Sequence, residues 1–316
     1  MAGQITQPWA AFENRIRESA MGTKMTRNVS MADYTTLHLG GKADLMLEPA
    51  CAKDVQLILQ TAQALKVPLT VIGRGSNLLV RDGGIRGVVL RIAGSMKRVQ
   101  ADGETIMAEA GAMMPAVAMA AAEHHLAGMA FAGGIPGTVG GGVMMNAGAY
   151  GGEMAQVVSQ VEGFDRLTGT PFCYTGAEMA FGYRTSRLQG EDKVVTSVTF
   201  RLQKGDGAAI RAEMVDYNRR RAEKQPLDVP SAGSTFRRPK TGYAAALIDE
   251  CGLKGVQVGG AQVSEKHAGF LLNRGGTAAD FLALMALVQR TVLEKTGVAL
   301  ESEVCILGED AATKEI

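Results

Sequence analysis

The sequence predicts an α+β fold in more than one lobe, on three observations. Short apolar or β-branched runs and helical stripes are mixed without the regular βαβ rhythm of a parallel α/β fold. Residues 134–153, GIPGTVGGGVMMNAGAYGGE, hold eight glycines in twenty positions with apolar side chains between them. A polar glycine turn at 205–207 separates a strand-like run from a helical one and marks a domain boundary. At 316 residues there is room for two domains or three. Hydrophobic content of 46% and charged content of 21% are those of a globular chain, not a disordered one. No fixed-period repeat is present.

The elements follow in order. Residues 1–32 read as polar and irregular apart from a helical patch, WAAFENRIRESA. In KDVQLILQTAQALK, Val55, Ile58, Leu59, Ala62 and Leu65 share one helical face. VPLTVIG, ending at Gly73, reads as a buried strand entering the turn that opens GRGSNLLVRDGG. GVVLRI and TIMAEAG read as short strands, and MMPAVAMAAAEHHL as a helix. VVSQVEGFDRLTGTPFCYTG alternates as a hairpin turning at Thr168-Gly169, followed by a strand in KVVTSVTFRLQKGDG. AAIRAEMVDYNRRRAEKQP is a helix stopped before Pro226. The clearest helix is TAADFLALMALVQRTVLEKTG, with Thr277 and Asp280 at N-cap and N3 and Gly297 just past the end. Phe281, Leu284, Val288 and Thr291 line one of its faces.

Glycine loses more conformational entropy on folding than any other residue, so the 134–153 cluster requires a reason. Flexible linkers are polar, whereas this segment carries Ile135, Val139, Val143, Met144, Met145 and Tyr150, and Pro136 stiffens its start. Two readings stand: a loop whose amides cradle an anion, or a structural loop packed under a helix. GRGSN at 73–77 is likewise either a second amide cradle, helped by the Ser76 and Asn77 side chains, or an ordinary β-turn. The familiar nucleotide motifs are absent: GRGSNL has Leu78 where a third glycine belongs, and Gly41-Lys42 is followed by Ala43 rather than Ser or Thr. The favoured device holds a dinucleotide diphosphate between the two glycine segments, in a pocket made by two small lobes.

A net charge of +1 excludes broad electrostatic attraction to nucleic acid or anionic membrane. Cys51, Cys173, Cys251 and Cys305 have no zinc-like spacing and read as reduced, mostly buried thiols; His38, His124, His125 and His267 form no metal pattern. No metal is expected. The N-terminus lacks a signal-peptide pattern and no run is apolar enough to span a bilayer, so a cytoplasmic protein is expected.

Six blocks in order carry a resemblance: GRGSNLLVRDGG, GIPGTVGGGVMMNAGAYGGE, FGYRTS, QPLDVPSAGSTFRRP, GGAQVSEKHAGF and LESEVCILG. Together, over residues 30–308, they resemble the motifs of the UDP-N-acetylenolpyruvoylglucosamine reductase family, in its shorter (type II) branch. The resemblance implies an α+β, FAD-binding fold of the vanillyl-alcohol oxidase type in two lobes, with a C-terminal α+β substrate domain. The implied division is 1–72 for the first FAD lobe, joined by a C-terminal strand at about 300–308; 73–205 for the second; 206–299 for the substrate domain; and 309–316 as a mobile tail. It implies non-covalent FAD, NADPH as co-substrate, and reduction of UDP-N-acetylglucosamine enolpyruvate to UDP-N-acetylmuramate in peptidoglycan precursor synthesis, by a monomer. Hydride would pass from flavin N5 to C3 and a proton would reach C2.

By the same resemblance Arg184, Ser234 and Glu303 are catalytic. Arg184 offers forked donors to the developing enolate, Glu303 polarises the enolpyruvyl group beside it, and Ser234 gives the proton at C2. FAD would lie against Gly73, Arg74, Gly75, Ser76, Asn77 and Leu78, and against Gly134, Ile135, Pro136, Gly137, Thr138, Gly140, Gly141, Asn146, Ala147 and Gly148. Lys224 and Arg221 would bind the substrate's diphosphate, with Arg238 and His267 near the substrate. The chain departs from the family where Cys305 replaces an arginine, and it lacks the tyrosine-bearing loop of the longer branch. Another flavin oxidase of the same fold, or a nucleotide-binding regulatory protein, are the competing readings; GRGSNLL carries no His or Cys tether for covalent flavin.

Overall fold

The computed structural model describes residues 7–311. By internal contacts these form two units built from interleaved stretches of chain: unit 1 takes residues up to 26, 45–74 and 87–219, and unit 2 takes 27–44, 75–86 and those from 220 onward. Three of the five passages between units fall inside strands, Lys24–Ser30, Lys42–Glu48 and Ile85–Arg91. Those strands belong to a four-stranded sheet in the order Lys24–Ser30, Lys42–Glu48, Ile85–Arg91, Leu69–Ile72. Within it Leu69–Ile72 runs parallel to Val88–Arg91, Leu69 opposite Val88.

Unit 1 contains helices α1 (Gln7–Ser19), α2 (Ala52–Ala64), α3 (Met114–Glu123) and the six-residue α4 (Val139–Met144). Helix α5 (Gly207–Lys224) begins in this unit and ends in the other. A five-stranded antiparallel sheet has the order Pro171–Thr175, Val158–Asp165, Lys193–Arg201, Thr105–Glu109, Val99–Asp102. The predicted stripe of α2 is buried at Val55, Ile58, Leu59 and Ala62, in one core with Phe12, Val117 and Phe200. The hairpin turns where predicted, with Gly169 at φ +69°. Asp165 drives that turn, accepting from the Leu167 amide at 3.0 Å, the Thr168 amide at 2.8 Å and Lys193 Nζ at 3.0 Å. These donors hold its carboxyl far below the usual carboxylate range.

Unit 2 has a second core, including Leu37, Leu79, Ile248, Leu271, Phe281 and Val288. Its four-stranded antiparallel sheet has the order Ser231–Ser234, Phe270–Asn273, Ala261–Val263, Gln257–Val258. Helices α6 (Ala244–Glu250) and α7 (Ala278–Thr296) contribute to the same core. The capping box of α7 forms as read: Thr277 Oγ1 accepts from the Asp280 amide at 3.1 Å and Asp280 Oδ2 from the Thr277 amide at 2.9 Å, while Gly297 is left-handed at φ +72°. A long-range cap adds to it. The two Asp82 carboxylate oxygens accept from the Ala278 and Ala279 amides at 2.9 Å each.

Several expectations are corrected. Residues 24–30 are a strand, and the glycine-rich segment contains α4 rather than being loop throughout. On α7 the buried face ends with Val292, while Thr291 turns its hydroxyl onto the Leu287 carbonyl. The C-terminal strand Cys305–Leu307 runs parallel to Leu78–Val80. The start of the tail is anchored, since Glu309 exchanges backbone bonds with Gly83 and Gly84 and Asp310 pairs with Arg81 at 2.5 Å; residues 312–316 lie outside the described residues. Of the cysteines only Cys251 is buried, and Cys51, Cys173 and Cys305 are exposed.

Candidate functional site

Gly73, the first residue of the GRGSN segment, adjoins the 134–153 segment within unit 1. A Cβ on Gly73 would stand 2.5 Å from Thr138 Oγ1, so only glycine lets the end of strand Leu69–Ile72 come this close to the start of α4. Thr138 caps α4, its hydroxyl 3.5 Å from the Gly141 amide. Many amides expected to be available are already engaged: Val139 donates to Ala112 at 2.8 Å, Gly140 to Ala110 at 2.9 Å and Ala147 to Gly142 at 2.8 Å. In unit 1 the amides of Arg74, Gly137 and Thr138, and in unit 2 those of Gly75, Ser76 and Asn77, donate to no acceptor among the described residues. Consecutive unengaged amides of this kind suit the oxygens of a diphosphate. Gly75, at φ +75°, takes a backbone path any Cβ would obstruct, 2.1 Å from the Tyr34 carbonyl.

The remaining residues of these segments frame the amides. Gly134 ends a short 3-10 turn, Ile135 packs on the unit 1 core, and Pro136 is exposed. Ala147 also packs on that core, and Gly148 pairs with Glu153 in a two-residue ladder. Leu78 opens the strand that pairs with Cys305.

The Asn146 side chain is bonded within the protein. The residue is 2% exposed at φ +42°, its Nδ2 donates to the Gly182 carbonyl at 3.0 Å, and its Oδ1 accepts from the Ala155 amide at 2.9 Å. Its side chain thus ties the glycine segment to the FGYRTS turn. In that turn Gly182 and Thr185 exchange backbone bonds at 3.0 and 3.2 Å, and Arg184 sits half-buried at φ +53°. A left-handed arginine is strained. Ser186 Oγ donates to the Met144 carbonyl at 2.9 Å, and Gln189 Nε2 donates to the Met144 and Arg184 carbonyls at 3.0 Å each. The sequence reading singles out Arg184 and passes over Ser186, in the same block, and Gln189, three residues beyond it.

In unit 2, Ser234 and Glu303 are brought together through the chain between them in space. Ser234, exposed, ends the strand Ser231–Ser234 opposite Phe270. The carbonyl of the next residue, buried Thr235, accepts from the Glu303 amide at 2.8 Å. Asn77 joins this group as well: its Nδ2 donates to the Glu303 carbonyl at 3.0 Å, and its own carbonyl accepts from the Cys305 amide at 3.0 Å. Thr36, also unread in the sequence, donates its hydroxyl to the Ser231 carbonyl at 2.7 Å and its amide to Gly75.

Around them, Lys224 is exposed at the last position of α5, with Arg221 one turn earlier and half-buried. Lys266 Nζ donates to the Ala222 carbonyl at 2.6 Å, fastening the SEKHAG loop to that helix end. Next to Lys266, His267 accepts the Gly269 amide on Nδ1 at 3.2 Å and meets Phe270 edge-on at 4.9 Å. Burial pushes its pKa down, so at neutral pH the ring is uncharged, with Nε2–H left as a donor. The Arg238 guanidinium lies 4.4 Å from the Tyr243 ring centroid, on an exposed turn. No group of three His, Cys, Asp or Glu among the described residues could hold a metal ion, and no described helix is long and apolar enough to cross a membrane.

Two family models match: an FAD binding domain over residues 43–170, and the C-terminal domain of UDP-N-acetylenolpyruvoylglucosamine reductase over residues 225–307. The chain is 47% identical to the UDP-N-acetylenolpyruvoylglucosamine reductase of Levilactobacillus brevis over 92% of its own length and 96% of that protein's. It is 45% identical to that of Geobacillus thermodenitrificans, covering 90% and 93% of the two chains. Among solved structures, that of the UDP-N-acetylenolpyruvylglucosamine reductase from Thermus caldophilus superposes with a TM-score of 0.77 at 35% identity, covering 90% of this chain and all of the other.

Proposed function

Since this chain belongs to the UDP-N-acetylenolpyruvoylglucosamine reductase family, we propose that it uses FAD and NADPH to reduce UDP-N-acetylglucosamine enolpyruvate to UDP-N-acetylmuramate. The observation that carries the FAD reading is the set of unengaged amides at 74–77 and 137–138, within the stretch matched by the FAD binding domain. When bound, FAD would supply the two-electron redox chemistry that links NADPH to reduction of the enolpyruvyl group.

The chain's residues handle charge and the proton. Hydride addition at C3 leaves negative charge on C2, spread into the substrate carboxylate. The forked guanidinium of Arg184 stabilises that charge, and its strained turn fixes where the guanidinium starts. Glu303, held by backbone bonds to Thr235 and Asn77, helps to polarise the enolpyruvyl group. Ser234 delivers the proton to C2. Its exposed hydroxyl is a weak acid, so general-acid action demands that the substrate and its neighbours polarise it. Lys224 and Arg221 meet the diphosphate, and the neutral His267 offers a donor rather than a charge. The expected division into two FAD lobes and a substrate domain is carried forward as part of this proposal, as are a monomeric state and a cytoplasmic location.

An anaerobic visible spectrum of the purified protein, titrated with NADPH and then with the enolpyruvyl sugar nucleotide, tests the whole reading. Bleaching by NADPH and recovery on adding the sugar nucleotide is the expected result. Recovery only with oxygen would make the protein an oxidase on the same fold, and no flavin after incubation with FAD would remove the reading of the glycine segments.

A further inference from the structure

We propose that Gln189 is a positioning residue: its side-chain amide holds the left-handed Arg184 turn against the glycine-rich segment and so sets the rate at which the reduced flavin is reoxidised by substrate. The proposal rests on the reading of Arg184 as the group that meets the developing enolate.

Arg184 occupies a conformation that non-glycine residues avoid, at φ +53°. Left to itself such a turn relaxes, and a long side chain carried on it would sweep a wide arc. Two bonds between Gly182 and Thr185 close the turn, and Asn146 and Ser186 tie its two ends to the glycine-rich segment. Gln189 ties the strained residue itself to that segment. Its side-chain nitrogen donates to two carbonyls, Met144 at 3.0 Å and Arg184 itself at 3.0 Å, with the Met145 sulfur a third acceptor at 3.3 Å. The first belongs to the last residue of α4, and the second to the strained residue.

The clamp has a rigid base. Gln189 ends the 3-10 turn Arg187–Gln189, in which Leu188 is 2% exposed in the unit 1 core. The Arg187 amide donates to the Met179 carbonyl at 2.8 Å, its guanidinium lies 4.1 Å from the Tyr174 ring centroid, and its Nε donates to Glu191 at 2.6 Å. Tyr174 closes the group by donating to the other Glu191 oxygen at 2.8 Å. Gln189 itself is exposed, so its truncation opens no cavity, and what the substitution removes is its bonds to Met144, Met145 and Arg184.

The test compares Gln189→Ala, Gln189→Glu and Arg184→Ala holoenzymes by anaerobic stopped-flow, reading flavin bleaching by NADPH apart from reoxidation by the enolpyruvyl sugar nucleotide. Gln189→Ala is expected to keep its flavin and its bleaching rate while reoxidation at saturating substrate slows by roughly tenfold or more, the scale on which small misplacements act. Gln189→Glu cannot donate as a carboxylate but can once protonated, so its reoxidation rate, relative to the parent, is expected to rise as pH falls, while Gln189→Ala shows no such trend. Tryptic cleavage after Arg184, followed by mass spectrometry, is expected to quicken in Gln189→Ala. Parental reoxidation in Gln189→Ala, or equal slowing of both half-reactions, overturns the proposal. If Arg184→Ala also reoxidises at the parental rate, the Arg184 reading itself has failed; if Arg184→Ala is slow and Gln189→Ala is not, only the clamp has.

Discussion

Single atoms decide what glycine does at 140 and 141. A Cβ on Gly140 would lie 3.1 Å from Ala110 Cβ and 3.3 Å from the Ala110 carbonyl oxygen, which already accepts the Gly140 amide. One on Gly141 would meet only Thr138 Oγ1 at 3.5 Å, an ordinary contact. Gly140→Val is therefore expected to displace α4 and lose flavin absorbance in the purified protein, while Gly141→Ala retains it. Full occupancy in folded Gly140→Val would contradict the account of this segment. At this scale the sequence exposed residue types and not their use. The buried Asn146 was legible as a special position, yet its side chain is spent on Gly182 and Ala155. The positive φ of Arg184 carries no mark in the letters FGYRTS, because the backbone there is held by its surroundings. The exposure of Cys305 was equally illegible: a three-residue strand with the burial pattern exposed, exposed, half-buried has too few positions to show a period.

Elements with strong local signals were readable throughout. The stripe of α2, the Thr277–Asp280 box and the Thr168-Gly169 turn are each specified by residues within a few positions of one another. The strand Lys24–Ser30 was not, since KMTRNVS buries only Val29 and offers no alternation. Also invisible locally is the cap that Asp82 places on α7 from far along the chain, because GRGSNLLVRDGG reads as a ligand loop. That cap is worth about 1–2 kcal/mol, a carboxylate on two first-turn amides with the favourable helix-dipole sense. Asp82→Ala is expected to lower unfolding stability by that amount in urea, with the slope of the transition unchanged. An unaltered midpoint would show that Thr277 and Asp280 cap α7 without help. Helix α4 shows the opposite limit: at six residues it has little stability of its own, and it persists through its bonds to Ala110 and Ala112.

For the whole molecule, the shifted groups define a stability plateau. Burial holds the native His267 pKa below its ordinary 6.5, so below that pH the unfolded chain binds more protons and stability falls as pH falls. A second loss follows below roughly pH 4, where donors keep Asp165, Glu178, Glu191 and Asp280 ionised in the native state beyond their ordinary values. On the alkaline side Lys193, paired with Asp165, and half-buried Tyr174, bonded to Glu191, have raised values. Their contribution is therefore present below about pH 10 and lost above it. The melting temperature is thus expected to be level from about pH 7 to pH 10 and to fall on both sides; a higher value at pH 5.5 than at pH 7.5 would contradict this. His267→Gln is expected to remove the first acidic loss and leave the second.

The interleaving of the units also bears on how the protein is made. A ribosome delivers Leu37, Leu39 and Leu79 early, yet the core that buries them is completed by residues such as Phe281 and Val304, and Leu79 finds its strand partner only in Ile306. At ordinary elongation speeds these apolar segments wait roughly ten to forty seconds, during which unit 1 can receive all of its chain. Nascent chains stalled with residue 219 just outside the exit tunnel are expected to resist protease across 87–200 while remaining open to it at 27–44 and 75–86, which makes those two stretches the natural early clients of a chaperone.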